Sequence, residues 1–171
     1  EIISSNCDFD VDLFSIDIDG IDYWIIDKLD LSSVKIFIAE YNPVYGSDME
    51  VTVPNLENFN RKDYHYSNLC YGMSLIALKN IMIKKNFYLI GTNSTRNNAF
   101  FISEEFKQSE YFPNIKIKDL DYYTDFNYRE SRDKNNKLTY ISGKSCIKEI
   151  KECNVVDLKN NNKIKKISEL L

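Results

Sequence analysis

The feature that most constrains this chain is a strand–turn–helix–strand pattern between Leu13 and Tyr41. Residues 11–18 (VDLFSIDI) have the apolar content of a buried strand. Asp19-Gly20 reads as a turn, with Gly20 letting the chain reverse, and Asp22 as the cap of a short helix over 23–29. Ser32-Ser33 break that pattern, and residues 34–41 (VKIFIAEY) form a second β-branched and aromatic strand, closed by Asn42-Pro43. A strand, a short helix and a strand in this order form a βαβ unit, whose crossover is right-handed and whose strands are parallel.

The rest of the chain extends that unit. Residues 46–68 hold Pro54 and many polar side chains and read as a long loop of the lid or binding-loop type. Residues 71–83 (YGMSLIALKNIMI) place Leu75, Leu78, Ile81 and Met82 at helical spacing, with Lys84-Lys85-Asn86 at the C-terminal end. Residues 87–91 and 98–103 are two further strands, joined by the polar TNSTRN turn as a hairpin. The fold class expected is therefore α/β, with parallel strands, a C-terminal antiparallel hairpin and one antiparallel strand near the sheet edge. After Pro113 the composition becomes polar, charged and tyrosine-rich. This sets a boundary between an α/β part, 1–112, and an irregular appendage, 113–171. Within the appendage LTYIS reads as a short strand, CIKEIKE as a helical turn or two, and VVDLKNNNKIKKI as a hairpin.

Composition narrows the function classes. The chain of 171 residues is long enough for one real core, and its formal net charge of −4 does not suit a nucleic-acid-binding surface. The four cysteines have no C-x-x-C spacing and His65 is the only histidine, so zinc-ligand spacing is missing and free thiols of a reducing cytoplasm are expected. No apolar run reaches the roughly 18 residues of a membrane span. The five glycines are scattered, without a G-x-G-x-x-G or Walker loop.

Open α/β sheets bind ligands outside the carboxyl ends of their strands. The first strand ends in Asp17 and Asp19, the second in Glu40 and Asn42. Alternation along a strand points Asp17 and Asp19 the same way, and likewise Glu40 and Asn42. Such an oxygen-donor set suits Mg²⁺ or another hard divalent cation, and clustered carboxylates also raise one another's pKa toward that of a general base. The same residues admit a purely structural account as turn, cap and solvated acids. They also admit a metal-dependent glycosyltransferase that uses Asp17-x-Asp19, and a non-catalytic binding module. His65, in an aromatic stretch, is a candidate general base; Asn42, Tyr64, Tyr71 and Arg96 are candidate contacts to a small-molecule substrate. Gly72, before the second helix, is a weaker candidate for an anion site, and Tyr23 and Trp24 read chiefly as packing.

Four segments, LFSIDIDGIDYWI, IFIAEYNPVYG, YGMSLIALKNIMIKKNFYLIGT and NAFFIS, together resemble the C-terminal half of FkbM-type S-adenosylmethionine-dependent methyltransferases. The resemblance covers roughly Asp10 to Phe106 in the right order. It implies strands four to seven of a Rossmann-like sheet, with the hairpin supplying its antiparallel strand. It also implies a methyl donor, S-adenosylmethionine, and a hydroxylated sugar or other small metabolite as acceptor, with Asp17 and Asp19 near the point of transfer. The glycine-rich segment that binds the donor in that family has no counterpart here. A start at Glu1, close to the fourth strand, implies a piece of a longer protein, inactive by itself.

Overall fold

A computed structural model describes residues 11–108 and 130–171. Two sheets, each with its own apolar core, organise the described residues. The first has four strands: β1 (Leu13–Ile16), β2 (Ile36–Glu40), β4 (Phe87–Thr92) and β5 (Asn98–Ser103), in the order β1-β2-β5-β4. β1 and β2 are parallel, joined through helix α1 (Asp22–Lys28), as the βαβ pattern predicts. β5 is antiparallel to both β2 and β4. The antiparallel strand lies next to the sheet edge, as expected, because the hairpin places β4 outermost and returns β5 beside β2.

Phe37 and Ala39 of β2 and Phe101 and Ala99 of β5 are fully buried. They pack with Ile26 of α1 and with Leu75, Leu78, Ile81 and Met82 of helix α3 (Leu75–Lys84). The apolar positions that define that helix in the sequence are the ones it buries. α3 is four residues shorter at its start than 71–83 implies, because Ser74 is the cap: its Oγ accepts from the Ala77 N–H at 3.2 Å. Lys85, just past α3, donates to the carbonyls of Asp27 and Leu29 at 3.2 and 2.9 Å, fastening the ends of the two helices together.

The long loop contains more structure than its composition indicates. A 3₁₀ turn (Pro43–Tyr45) leads to β3 (Val51–Thr52), and a single helical turn, α2 (Arg61–Tyr64), follows. β3 pairs with β6 (Asn154–Asp157), which pairs in turn with β7 (Lys163–Lys166), forming a three-stranded antiparallel sheet β3-β6-β7. The expected C-terminal hairpin and short helix α5 (Lys144–Glu149) are present; between β5 and them lies a short helix, α4 (Glu104–Lys107). LTYIS makes no regular strand: Leu138 pairs with Arg132 in an isolated bridge, and Tyr140 has a left-handed backbone that a regular strand does not accommodate. Val53 of the loop and Val44, Tyr45, Leu69 and Cys70 on either side of it share a core with Cys146, Ile150, Val155 and Ile167 of the C-terminal segment. Among the described residues no helix is long and apolar enough to cross a membrane.

Candidate functional site

The C-terminal ends of β1 and β2 place three acids together. The parallel register pairs Ile16 with Ala39, so Asp17 and Glu40 stand on the next rung and on the same side of the sheet. Asp19 comes back to them because the chain turns there: its φ is +56°, a left-handed conformation that Asp tolerates better than most residues. One carboxylate oxygen from each of Asp17, Asp19 and Glu40 lies within 4.8 Å of the others. Asp17 and Asp19 are exposed, whereas Glu40 is only 6% exposed.

The turn is built differently from its sequence reading. Asp22 does not cap α1; its carboxylate accepts the N–H of Ile18 and of Gly20, both at 3.0 Å, and thereby holds the Asp17–Gly20 turn from inside. Burial raises the Asp22 pKa, opposed by those two N–H donors. Gly20 is not at a positive φ. Its missing side chain makes room for Phe59, whose Cδ1 lies 2.7 Å from where a Cβ would stand.

Electrostatics in the cluster centre on Glu40. Burial, followed by the charges of Asp17, Asp19 and Asp22, pushes its pKa up to about 8, with Arg61 pulling the other way. Its Oε2 is buried and has no hydrogen-bond partner among the described residues. Arg61, a residue that nothing local in the sequence singles out, bridges the site. Its Nη1 lies 2.5 Å from Asp19 Oδ1, its Nη2 2.7 Å from Glu130 Oε2, and its guanidinium sits 5.1 Å from the centre of the Tyr71 ring. Next to this bridge runs a cleft of about 560 Å³ lined by Asp19, Phe59, Asn60, Arg61, Glu130 and Arg132, among others. The long loop thus supplies one wall of a cleft that opens beside the acids.

The other candidates have different positions. Asn42 is fully buried and does not act as a fourth ligand. Its amide donates to the carbonyls of Leu69 and Tyr71 at 2.8 and 3.0 Å, and its Oδ1 accepts from the Val44 N–H as the cap of the 3₁₀ turn. β2 ends at Glu40, and Asn42, still extended, serves as the cap of the 3₁₀ turn that follows, so its amide is spent on backbone groups. Tyr64 donates to the Asn154 carbonyl at 2.7 Å and packs against Phe59, which ties α2 to the second sheet and takes its hydroxyl away from a substrate role. Tyr71 is buried, and its ring lies under the Arg61 guanidinium. His65 pairs its Nδ1 with the Ser67 hydroxyl at 2.7 Å, and burial lowers its pKa; it is not among the residues lining the cleft. Arg96 occupies the hairpin turn at φ +58° and is likewise absent from that lining. The carbonyl of Gly72 accepts the N–H of Val53, and Ser74 caps the helix that follows, so Gly72 does not open a helix start to an anion. Trp24 donates its indole N–H to Val53 at 2.9 Å, a packing role.

Oxygen-only donors, one of them buried and without a donor of its own, suit a hard cation or a proton exchanged with a substrate hydroxyl. Comparison with models of known protein families, with curated proteins and with solved structures finds no match to this chain.

Proposed function

We propose that the chain is the acceptor-side part of an S-adenosylmethionine-dependent methyltransferase, working within a longer chain on a hydroxyl of a sugar or another small hydroxylated metabolite. The observation that carries the reading is the convergence of Asp17, Asp19 and Glu40 at the carboxyl ends of adjacent parallel strands, beside a polar cleft. The sheet supports it as well. Three strands run in one direction and the last in sequence, β5, is antiparallel, which is the arrangement the resemblance implies. Among the described residues β1 is an edge strand, where further parallel strands can add.

A hydroxyl lodged among the three acids accepts orientation from Asp17 and Asp19 and passes its proton to Glu40. Burial keeps the pKa of Glu40 near working pH, where a general base is most effective. No residue of this chain is assigned to the methyl donor, since none of the five glycines belongs to a donor-binding loop. The convergence of the acids weighs against a non-catalytic module, for which dispersed, solvated acids are expected.

The test uses the intact reading frame with isotope-labelled methyl donor and a panel of hydroxylated acceptors. Transfer that Asp17→Asn and Glu40→Gln abolish, with donor binding retained, supports the reading; no transfer to any acceptor counts against it. The same cluster favours one other activity, a metal-dependent glycosyltransferase using Asp17 and Asp19. That activity predicts UDP-sugar binding in the presence of Mn²⁺, lost in Asp19→Asn.

A further inference from the structure

We propose that Asp17, Asp19 and Glu40 hold one hard divalent cation, and that Arg61 is the built-in counter-ion which this cation displaces from Asp19. The inference rests on the reading of this cluster as the functional site. Its test is separate from that of methyl transfer, because it needs neither donor nor acceptor.

The first ground is distance. Two oxygens on opposite sides of a Ca²⁺ at 2.3–2.6 Å are at most about 5 Å apart. One oxygen from each of the three acids falls within 4.8 Å of the others, so the triad spans no more than a single coordination sphere. The donors are all carboxylate, without sulfur or imidazole, which selects Mg²⁺, Mn²⁺ or Ca²⁺ over softer metals.

The second ground is independent of the clustering. Glu40 is more than nine-tenths buried, and its Oε2 has no hydrogen-bond partner among the described residues. A buried carboxylate oxygen with no donor is costly unless a proton or a cation satisfies it. Asp22, the fourth acid nearby, is already satisfied by the N–H groups of Ile18 and Gly20 and stays outside the coordination set. Glu40 is anchored at the end of a central strand paired on both sides. A cation there meets a ligand whose backbone is already in place.

The third ground concerns charge. Arg61 brings a positive charge to the outer side of the cluster through Asp19. A divalent ion bound to Asp19 replaces that charge and repels the guanidinium. The fork of Arg61 does not lose all its partners on release, since Glu130 and the Tyr71 ring remain in reach. Binding therefore exchanges one counter-ion for another and turns Arg61 toward the cleft, where an anionic or hydroxylated ligand can meet it.

The experiment is a Mn²⁺ titration of the 171-residue chain, followed by electron paramagnetic resonance and calorimetry, with Mg²⁺ and Ca²⁺ as competitors. One Mn²⁺ per chain is expected, lost in Asp17→Asn and in Glu40→Gln, and bound about threefold more tightly in Arg61→Gln, where the competing ion pair is gone. No saturable binding to the wild-type chain, or binding that survives both carboxylate substitutions, overturns the site. Unchanged or weaker binding in Arg61→Gln overturns the displacement. Melting of each variant in chelator identifies any that fails to fold. The wild-type melting temperature must also rise with Mn²⁺, since a ligand specific for the native state stabilises it by mass action. If methyl transfer is later absent while Mn²⁺ binds, only the transferase reading falls.

Discussion

The ring of Phe59 occupies the space where a side chain on Gly20 would begin, its Cδ1 2.7 Å from the ideal Cβ position. This contact links the acidic turn to the loop that carries Arg61, two residues beyond Phe59. It makes Gly20 a matter of clearance and leaves the left-handed step to Asp19.

Gly20→Ala is therefore expected to push Phe59 aside and destabilise the fold by about 1–3 kcal/mol, the usual range for overpacking. The companion Phe59→Leu, which shortens the ring, should restore part of that loss. Chemical denaturation of the two single variants and the double variant measures the coupling; strict additivity would rule out the contact as the cause.

Asn42 offers a second test. Its fully buried amide makes three hydrogen bonds to backbone groups. Asn42→Ala leaves the carbonyls of Leu69 and Tyr71 and the N–H of Val44 without that partner, and should lower stability by about 2–4 kcal/mol. Asn42→Asp should be at least as damaging, since it places an acceptor against two carbonyls. If Asn42 were an exposed ligand, both changes would leave the melting temperature unaltered.

The pH dependence of stability in the presence of chelator should report Glu40. Its pKa is about 8 in the folded chain against 4.5 for the free side chain. Below pH 4.5 both states hold the proton and the contribution to stability is complete. Between 4.5 and about 8 the unfolded chain releases the proton while the folded chain retains it. Stability therefore falls as pH rises through that window, by at most about 1.4 kcal/mol per pH unit. Glu40→Gln should remove this slope, and urea unfolding at several pH values would show it.

Asp157 should act in the opposite sense. It lies at the end of β6, pairs with Lys165 at 2.7 Å and accepts from Asn160 and the Lys159 N–H. Burial raises its pKa, but these partners prevail and hold it below the ordinary value. Its contribution is present above the ordinary carboxylate pKa and lost as pH falls through the lower, folded value. Asp157→Ala should loosen the β6–β7 turn, with faster amide exchange at Lys163–Lys166 than in the first sheet.

The parts of the fold that were legible in the sequence are those written in local periodicity. The βαβ unit, the helix with Leu75 and Leu78 on its buried side, the Phe87–Ser103 hairpin and the C-terminal hairpin all repeat at strand or helix spacing. The insertion of β5 between β2 and β4 was not legible, because strand order is set by which edges meet and not by any one segment. β3 is two residues long and carries no period at all. Within the site, Asp17, Asp19 and Glu40 were visible as strand-end acids. Arg61 was not, since its partner Asp19 is 42 positions away and it lies in a stretch with no pattern. The role of Asn42 as a buried cap was not legible, because its partners Leu69 and Tyr71 lie far along the chain.

The pairing of Val51 with Asp157 has a consequence for the order of events on the ribosome. All four strands of the first sheet are available once the chain has passed Ser103. β3 must wait for β6, far along the chain, and closing so long a stretch is slow relative to local pairing. The acids are therefore aligned early, whereas α2 gains its Tyr64 tether to Asn154 only once β6 has emerged. The cleft wall that carries Arg61 sets after the first sheet, so a nascent chain exposes its carboxylates well before it can shield them.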